Sequence, residues 1–429
     1  MDGQRRHVTT SAPSAAPSAT GSPAPAGGAI RSSRLSRLAA PLFIAVIVQS
    51  VANLLFHAVV GRALTPTEYG ALGTVLAAMT LVAVPLSALQ TASARATATS
   101  GLSVATARAL LLRTTLYSAP VVLLVLLLSG PTADFLHLES TWDAAILAPT
   151  LLVAALIAVI RGLLLGVGRT GVVAGSYILS TVLRIGPGLA LAAVAGVTGA
   201  LLGTLLGELG ALLLVAVAAL RSPAGEVAHL SGGDYLRTGA VVTGLFLFTT
   251  VDLFLARHFL PGTASGAYVA AATIGKTVLA LPAAAISIAY PKLVAGWADG
   301  TPRPAIKSSL LVVGVPALLA AAVVAILPGL VLAVLYGADT FPGAGQVTSV
   351  LAIVAGLSAL VSVLVHAGMA RNRWTMWLPW VGAVLEIVVM STWHSSATAI
   401  AAGSAAVGAV VLAMLLAFEL PAWRTQNQR

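Results

Sequence analysis

The sequence predicts an all-α polytopic membrane protein of about twelve transmembrane helices. These form two direct six-helix repeats, two lobes around a central cavity. Three observations carry this. Hydrophobic residues make up 58% of the 429-residue chain and charged residues 8%, against about 25% charged in soluble domains. Apolar stretches of the ~20 residues needed to cross ~30 Å of hydrocarbon recur along the chain. Finally, the stretch 49–95 returns near 244–292 with its punctuation intact.

The repeat is read residue by residue. Arg62 matches Arg257 and Pro66 matches Pro261. One inserted residue later, Gly70 matches Gly266, Pro85 matches Pro282 and Arg95 matches Lys292. A second pair keeps the order: GVGR at 166–169 precedes Arg184 inside VLRI, and GMAR at 368–371 precedes Glu386 inside VLEI, at the same interval. Generic apolar helices would not reproduce prolines, glycines and charges in step, so the chain is a tandem repeat of roughly 200 residues.

Taken in order, residues 1–38 are rich in Ser, Pro, Ala and Gly and carry Arg5, Arg6, Arg31, Arg34 and Arg37. Such a segment has no core to bury and is expected to be a disordered cytoplasmic tail. It has no apolar region of its own, so it does not read as a signal peptide. Its arginines orient the first helix or touch anionic lipid. Apolar segments then fall near 40–60, 71–94, 109–129, 144–165, 175–196 and 199–220 in an N-lobe spanning 39–222. A C-lobe spanning 223–421 holds 238–258, 267–289, 309–335, 346–369, 377–393 and 396–420, and residues 422–429 form a short cytoplasmic tail. The eleventh segment is short, and the Gly196–Gly199 connection is very tight.

Lys and Arg set the orientation. With the N-terminus cytoplasmic, nearly all of the 23 basic residues fall inside, Arg161, Arg169, Arg371 and Arg373 among them. Arg62 and Arg257 alone lie in outer connections, with the acidic loop Asp134, His137, Glu139, Asp143. The net charge of +10 therefore reflects topology rather than nucleic-acid binding. With no cysteine, a disulfide framework and a thiolate metal site are both excluded. No Walker-type phosphate loop, His-Glu-x-x-His or nucleophile elbow occurs, and no loop is long enough for a soluble active-site domain. The expectation is a non-enzyme without cofactor or metal.

Direct repeats in one orientation imply lobes related by an axis along the membrane normal, a transporter architecture. Charges inside spans are the candidate functional residues: Arg184, Glu208, Asp252, Lys276 and Glu386. Each costs at least ~2.5–3.5 kcal/mol near the bilayer centre, so each should face a cavity or a partner. Asp252 lies about 9 Å and Lys276 about 15 Å in from the same side at 1.5 Å per residue, depths that permit an ion pair. Arg184 and Glu208 are placed to pair likewise. For both pairs, helix packing and substrate contact remain open. Glu386 reads as a protonatable group or a neutral, hydrogen-bonded acid. His57, Asn53 and Gln49 share one stripe of the first helix, lining the cavity or bonding between helices. Pro85, Pro187, Pro282 and Pro379 mark hinges or static kinks.

Several motifs resemble one family. They are Arg62-x-Leu64-x-Pro66 with Tyr69-Gly70, Val251-Asp252 with Ala256-Arg257-His258-Phe259-Leu260, and Gly266-x-Tyr268. Gly275-Lys276, Leu281-Pro282 and Tyr290-Pro291-Lys292 join them, as does Gly166-x-Gly168-Arg169 with Val182-Leu183-Arg184-Ile185. Over about 40–420 the chain looks like the polysaccharide transporter (oligosaccharide flippase) family of the multidrug/oligosaccharidyl-lipid/polysaccharide exporter superfamily. The resemblance implies a monomeric multi-pass protein of a bacterial inner membrane that moves a polyprenyl-pyrophosphate-linked oligosaccharide to the outer leaflet. Its implied partners are the lipid-linked glycan, membrane lipids, and glycosyltransferases or a polymerase, with no nucleic acid. Arg184 and Lys276, with Asn53 and His57, then stand as substrate-binding residues, and Asp252, Glu386 and Glu208 as coupling or ion-pairing residues. Two other classes stay open: a cation-coupled drug or metabolite antiporter of the same superfamily, and a non-transporting scaffold for glycan assembly.

Overall fold

In hydrocarbon every backbone N–H and C=O must be satisfied within the chain, which leaves an apolar sequence without β-alternation only helices. The computed structural model describes residues 27–227, 233–299 and 302–425, and these contain no strand. The first lobe comprises α1 (Gly27–Ala63), α2 (Pro66–Ser100), α3 (Val104–Leu127), the short α4 (Ser129–Phe135) and α5 (Thr141–Ala145), α6 (Leu147–Gly166) and α7 (Thr170–Leu220). The second comprises α8 (Gly233–Phe248), α9 (Val251–Phe259), α10 (Gly262–Ala298), α11 (Pro302–Ser309), α12 (Val315–Ile326) and α13 (Pro328–Tyr336). It ends with α14 (Ala344–Ala370), α15 (Leu378–Thr392) and α16 (Ala397–Thr425).

Among the described residues nine helices are individually long and apolar enough to cross a membrane, ten with the bent pair α8–α9. The 51 residues of α7 are twice a span. The break falls at Ala195 and Gly196, where Gly196 takes φ +55°, a left-handed turn that glycine adopts without steric cost. With α10, 37 residues long, the crossings come to the twelve expected.

Local chemistry sets the boundaries. Thr65 caps α2: its hydroxyl accepts the Glu68 N–H at 3.3 Å while the Glu68 carboxylate accepts the Thr65 N–H at 2.8 Å, a capping box. Pro66 stands at the first helical position, where its missing N–H costs nothing. A π-helical turn at Leu310–Gly314 joins α11 to α12, and a 3-10 turn at Trp374–Trp377 leads into α15.

Three expectations change. The backbone of α1 is already helical from Gly27, inside the stretch read as disordered. The acidic outer loop is folded: α4 and α5 occupy it, and Asp143 is buried, accepting the Thr198 hydroxyl at 2.5 Å. Arg161, read as an inner-face charge, is buried within its lobe, donating Nε to Ser176 Oγ at 3.0 Å and stacking on the Tyr177 ring at 3.9 Å. Arg5, Arg6 and Arg429 lie outside the described residues, and of Arg31, Arg34, Arg37, Pro282, Lys292 and Arg424 only the backbone is described.

Each lobe is built around its fourth crossing. α6 packs on α2, α3 and α7, and α14 packs on α10, α12 and α16. The most apolar window is 72% buried for α5–α6 and 61% for α14, against 11% for α3. The hub helices are therefore shielded from lipid, whereas α3 faces it. The lobes meet chiefly through α2, which packs against α10 and α8.

Candidate functional site

Along α2 the environment changes with depth. From Tyr69 to Val75 every residue is buried, whereas farther along Thr80, Ala83, Ser87, Thr91 and Arg95 are exposed. Those five fall on one face at helical spacing. α2 is the helix between the lobes, so this largely polar stripe lines a cleft between them. The cleft is closed at the face expected to be outer. There Gly70 and Gly266 bring α2 and α10 together, and a β-carbon added at Gly70 would stand 3.0 Å from the Gly266 Cα. At Gly266 it would overlap the Pro66 carbonyl oxygen, so only glycine permits this approach.

At the inner limit of the closed region two cationic side chains and a buried histidine converge. Arg184, on α7, is half-buried and donates Nη2 to Asn53 Oδ1 of α1, its guanidinium 4.5 Å above the Phe56 ring. Lys276, on α10 of the other lobe, places Nζ 6.0 Å from the Phe246 ring. His57 is buried between them, within electrostatic reach of both, and its Nδ1 lies 3.1 Å from the Tyr69 hydroxyl. That hydroxyl is 3.0 Å from the Tyr336 hydroxyl of the second lobe. Arg184, Lys276, Asn53 and His57 thus gather at the lobe interface. Gln49, on the same stripe of α1, has no described contact here.

The expected ion pairs do not form. Among the described residues the one ion pair within 4.0 Å joins Arg373 to Glu419, at 3.6 Å. Asp252 instead accepts the Tyr268 hydroxyl at 2.6 Å, and its other oxygen is buried without a hydrogen-bond partner. Glu208 accepts the Ser180 hydroxyl at 2.8 Å, within its own helix pair. Tyrosine and serine hydroxyls reach these carboxylates at shorter range than the long cationic side chains, which extend into the cleft. Arg184 and Lys276 feel Glu208 and Asp252 only at a distance.

The repeat equivalence of Arg184 and Glu386 likewise fails to give them like surroundings. Glu386 is buried inside the second lobe, where it accepts the Ser404 hydroxyl at 2.6 Å and leaves its second oxygen unpartnered. Asp252 lies within electrostatic reach of it, and the Thr250 hydroxyl is also buried without a partner. The second lobe therefore contains an acidic recess of buried carboxylates, with Asp252 also within electrostatic reach of Lys276. Among the described residues no group of three or more His, Cys, Asp or Glu is placed to hold a metal ion.

Sequence reasoning missed Tyr268, Ser180, Ser404 and Phe56. Tyr268 had a signal: in the repeat it stands where the first lobe has Leu72, a polar exception at an apolar position. The two serines and Phe56 are ordinary in composition, and only their neighbours reveal them.

The chain shares its fold with solved membrane transporters, among them members of the MOP superfamily. The lipid II flippase MurJ in an inward closed conformation superposes with a TM-score of 0.69 at 12% identity, covering 88% of this chain and 87% of that one. A multidrug resistance MATE family transporter in an inward-facing conformation gives a TM-score of 0.66 at 15% identity, covering 88% and 96%. A MOP superfamily transporter from Pyrococcus furiosus with a binding pocket of reversed polarity gives 0.62 at 15% identity, covering 91% and 95%. No family model and no curated protein sequence matches the chain.

Proposed function

We propose that the chain is an alternating-access flippase that carries a polyprenyl-pyrophosphate-linked oligosaccharide from the inner to the outer leaflet for surface polysaccharide biosynthesis. One observation carries the reading: Arg184 and Lys276, one from each lobe, face the same cleft, and among the described residues no carboxylate lies at ion-pair distance from either. Uncompensated cations inside a membrane are costly. An anionic headgroup arriving in the cleft removes that cost, and a pyrophosphate presents acceptors to both. Arginine offers it a planar donor fork and lysine a point charge. The sugar–pyrophosphate cannot cross hydrocarbon unaided, whereas the polyprenyl tail can stay in lipid at a gap between lobes. Asn53 accepts a hydrogen bond that holds the Arg184 guanidinium in place, and His57 is buried nearby.

The proposal places the protein in a bacterial inner membrane, monomeric, with both termini cytoplasmic and glycosyltransferases or a polymerase as functional neighbours. MurJ, whose fold the chain shares, is a lipid II flippase, which supports a lipid-linked cargo.

A second reading is favoured by the acidic recess. Asp252 and Glu386, with partnerless oxygens, are suited to a proton or small cation, as a drug or metabolite antiporter requires. In the flippase reading the same recess couples transport to an ion gradient. Proteoliposomes decide between them. Movement of a labelled polyprenyl-pyrophosphate oligosaccharide supports the flippase. Counter-movement of a cationic drug and protons without lipid movement supports the antiporter. Movement of neither leaves the scaffold reading.

A further inference from the structure

The two cations that break the inside rule, Arg62 and Arg257, both cross to the opposite lobe. Arg62, in the last turn of α1, donates Nε to the Leu335 carbonyl at 3.0 Å and Nη2 to the Val334 carbonyl at 2.7 Å. Both carbonyls belong to the last turn of α13, where helix acceptors lack intrahelical partners. Arg257, in the last turn of α9, donates Nε to the Leu136 carbonyl at 2.8 Å and Nη2 to the His137 carbonyl at 2.7 Å. Those residues follow α4 directly. α4 comes after the third crossing and α13 after the ninth, so the two contacts correspond under the repeat. In each, the arginine ending a lobe's first crossing grips the carbonyl end of the short helix after the other lobe's third crossing. A cation there also meets the negative end of the helix dipole.

Between the two grips lie the Gly70–Gly266 approach and the Tyr69–Tyr336 hydroxyl contact. Arg257 adds bonds from Nη1 to Ser265 Oγ at 3.0 Å and across to the Thr67 carbonyl at 3.3 Å. No substrate contact is needed to explain either residue, and among the described residues neither has a carboxylate within ion-pair distance. All their acceptors but Ser265 belong to the lobe across the cleft, so separating the lobes at this face breaks both sets at once.

We propose that Arg62 and Arg257 form a reciprocal latch that holds the outer face shut while the cleft opens inward, and that outward opening requires both to release the opposite lobe. The proposal rests on the alternating-access reading above. It makes the two arginines conformational elements of transport rather than packing common to every state.

The test uses purified protein in detergent, so it does not depend on orientation in a membrane. The chain has no cysteine, which permits single reporters. Val269, fully buried where α10 meets Gly73 of the other lobe, becomes V269C. Its maleimide labelling rate should rise at least tenfold when Arg62→Gln and Arg257→Gln are combined, and by less in each single variant. A second reporter pairs T67C with G262C: a β-carbon at 262 lies 3.2 Å from Thr67 Cβ, near the ~3.5–4.5 Å of a disulfide. Its oxidative cross-linking reports the shut face and should slow at least tenfold without the arginines. If the double glutamine variant does not fold, Arg62→Lys and Arg257→Lys decide instead. Lysine keeps the charge but cannot hold two carbonyls in a fork, and threefold changes in both reporters are then required. Unchanged rates in a folded variant overturn the latch. Reporters that respond while no form of the protein moves lipid-linked glycan keep the latch and sink the flippase reading. Glycan movement with unresponsive reporters does the reverse.

Discussion

Arg184→Gln separates a substrate contact from a packing contact. Arg184 has one described hydrogen bond, to Asn53, and a stacking contact on Phe56. Losing that bond costs stability roughly 1.5–3 kcal/mol for a charged donor. Removing an uncompensated cation from the membrane interior returns ~2.5–3.5 kcal/mol. The two nearly cancel, so the variant should melt within a few degrees of the parent. Its effect on cargo should be much larger. A guanidinium meeting a pyrophosphate makes two charge-assisted bonds, and replacing them with one neutral amide contact should cost about 3 kcal/mol, roughly a hundredfold in apparent affinity. The assay is concentration-dependent translocation of a fluorescent polyprenyl-pyrophosphate oligosaccharide in proteoliposomes, with thermal melting of the same preparations by loss of monodispersity. Arg184→Lys should fall between, keeping the charge and losing the fork. A large fall in melting temperature with unchanged half-saturation would refute the reasoning and leave Arg184 as a packing element.

Other predictions follow from the same contacts. Because Asp252 accepts from Tyr268 rather than pairing with Lys276, exchanging the Asp252 and Lys276 charges should not recover the loss caused by either single change; recovery in transport would restore the ion pair. Asp252→Asn and Glu386→Gln keep acceptors for Tyr268 and Ser404, so both should fold and lose dependence on a proton or sodium gradient; transport that still follows the gradient would remove the recess from coupling. Thr65→Ala removes the capping box of α2 and should cost about 1 kcal/mol, read as a lower melting temperature with the translocation rate little changed. Cysteines at the exposed Ala63 and Glu139 should react with external reagent in intact cells, and those at Ala98 and Ala224 only after permeabilisation; the reverse pattern would invert the topology.

Helix number, the two-fold repeat and the tight break near Gly196 were all legible in the linear chain. Hydrocarbon forces every apolar span to satisfy its own backbone, so length and hydropathy suffice to count crossings. Duplicated prolines, glycines and charges then reveal the repeat without any coordinate. The same comparison marked Arg62 and Arg257 as equivalents, while charge inside the spans singled out Arg184 and Lys276 and the polar stripe of the first helix singled out Asn53 and His57. Partnership was not legible. Depth along a helix axis placed Asp252 near Lys276 and Arg184 near Glu208, but depth says nothing about rotation around the axis. Rotation turned the carboxylates toward Tyr268 and Ser180 and left both cations in the cleft. The repeat could not show that Arg184 reaches the cleft while Glu386 is buried against α16, because equivalent backbone positions meet different neighbours in each lobe. Nor could it show that the two outer arginines grip each other's lobes. A hydrogen bond from Arg62 to Val334, or from Arg257 to His137, joins residues far apart in the chain, and only the packing of one lobe on the other brings donor and carbonyl together.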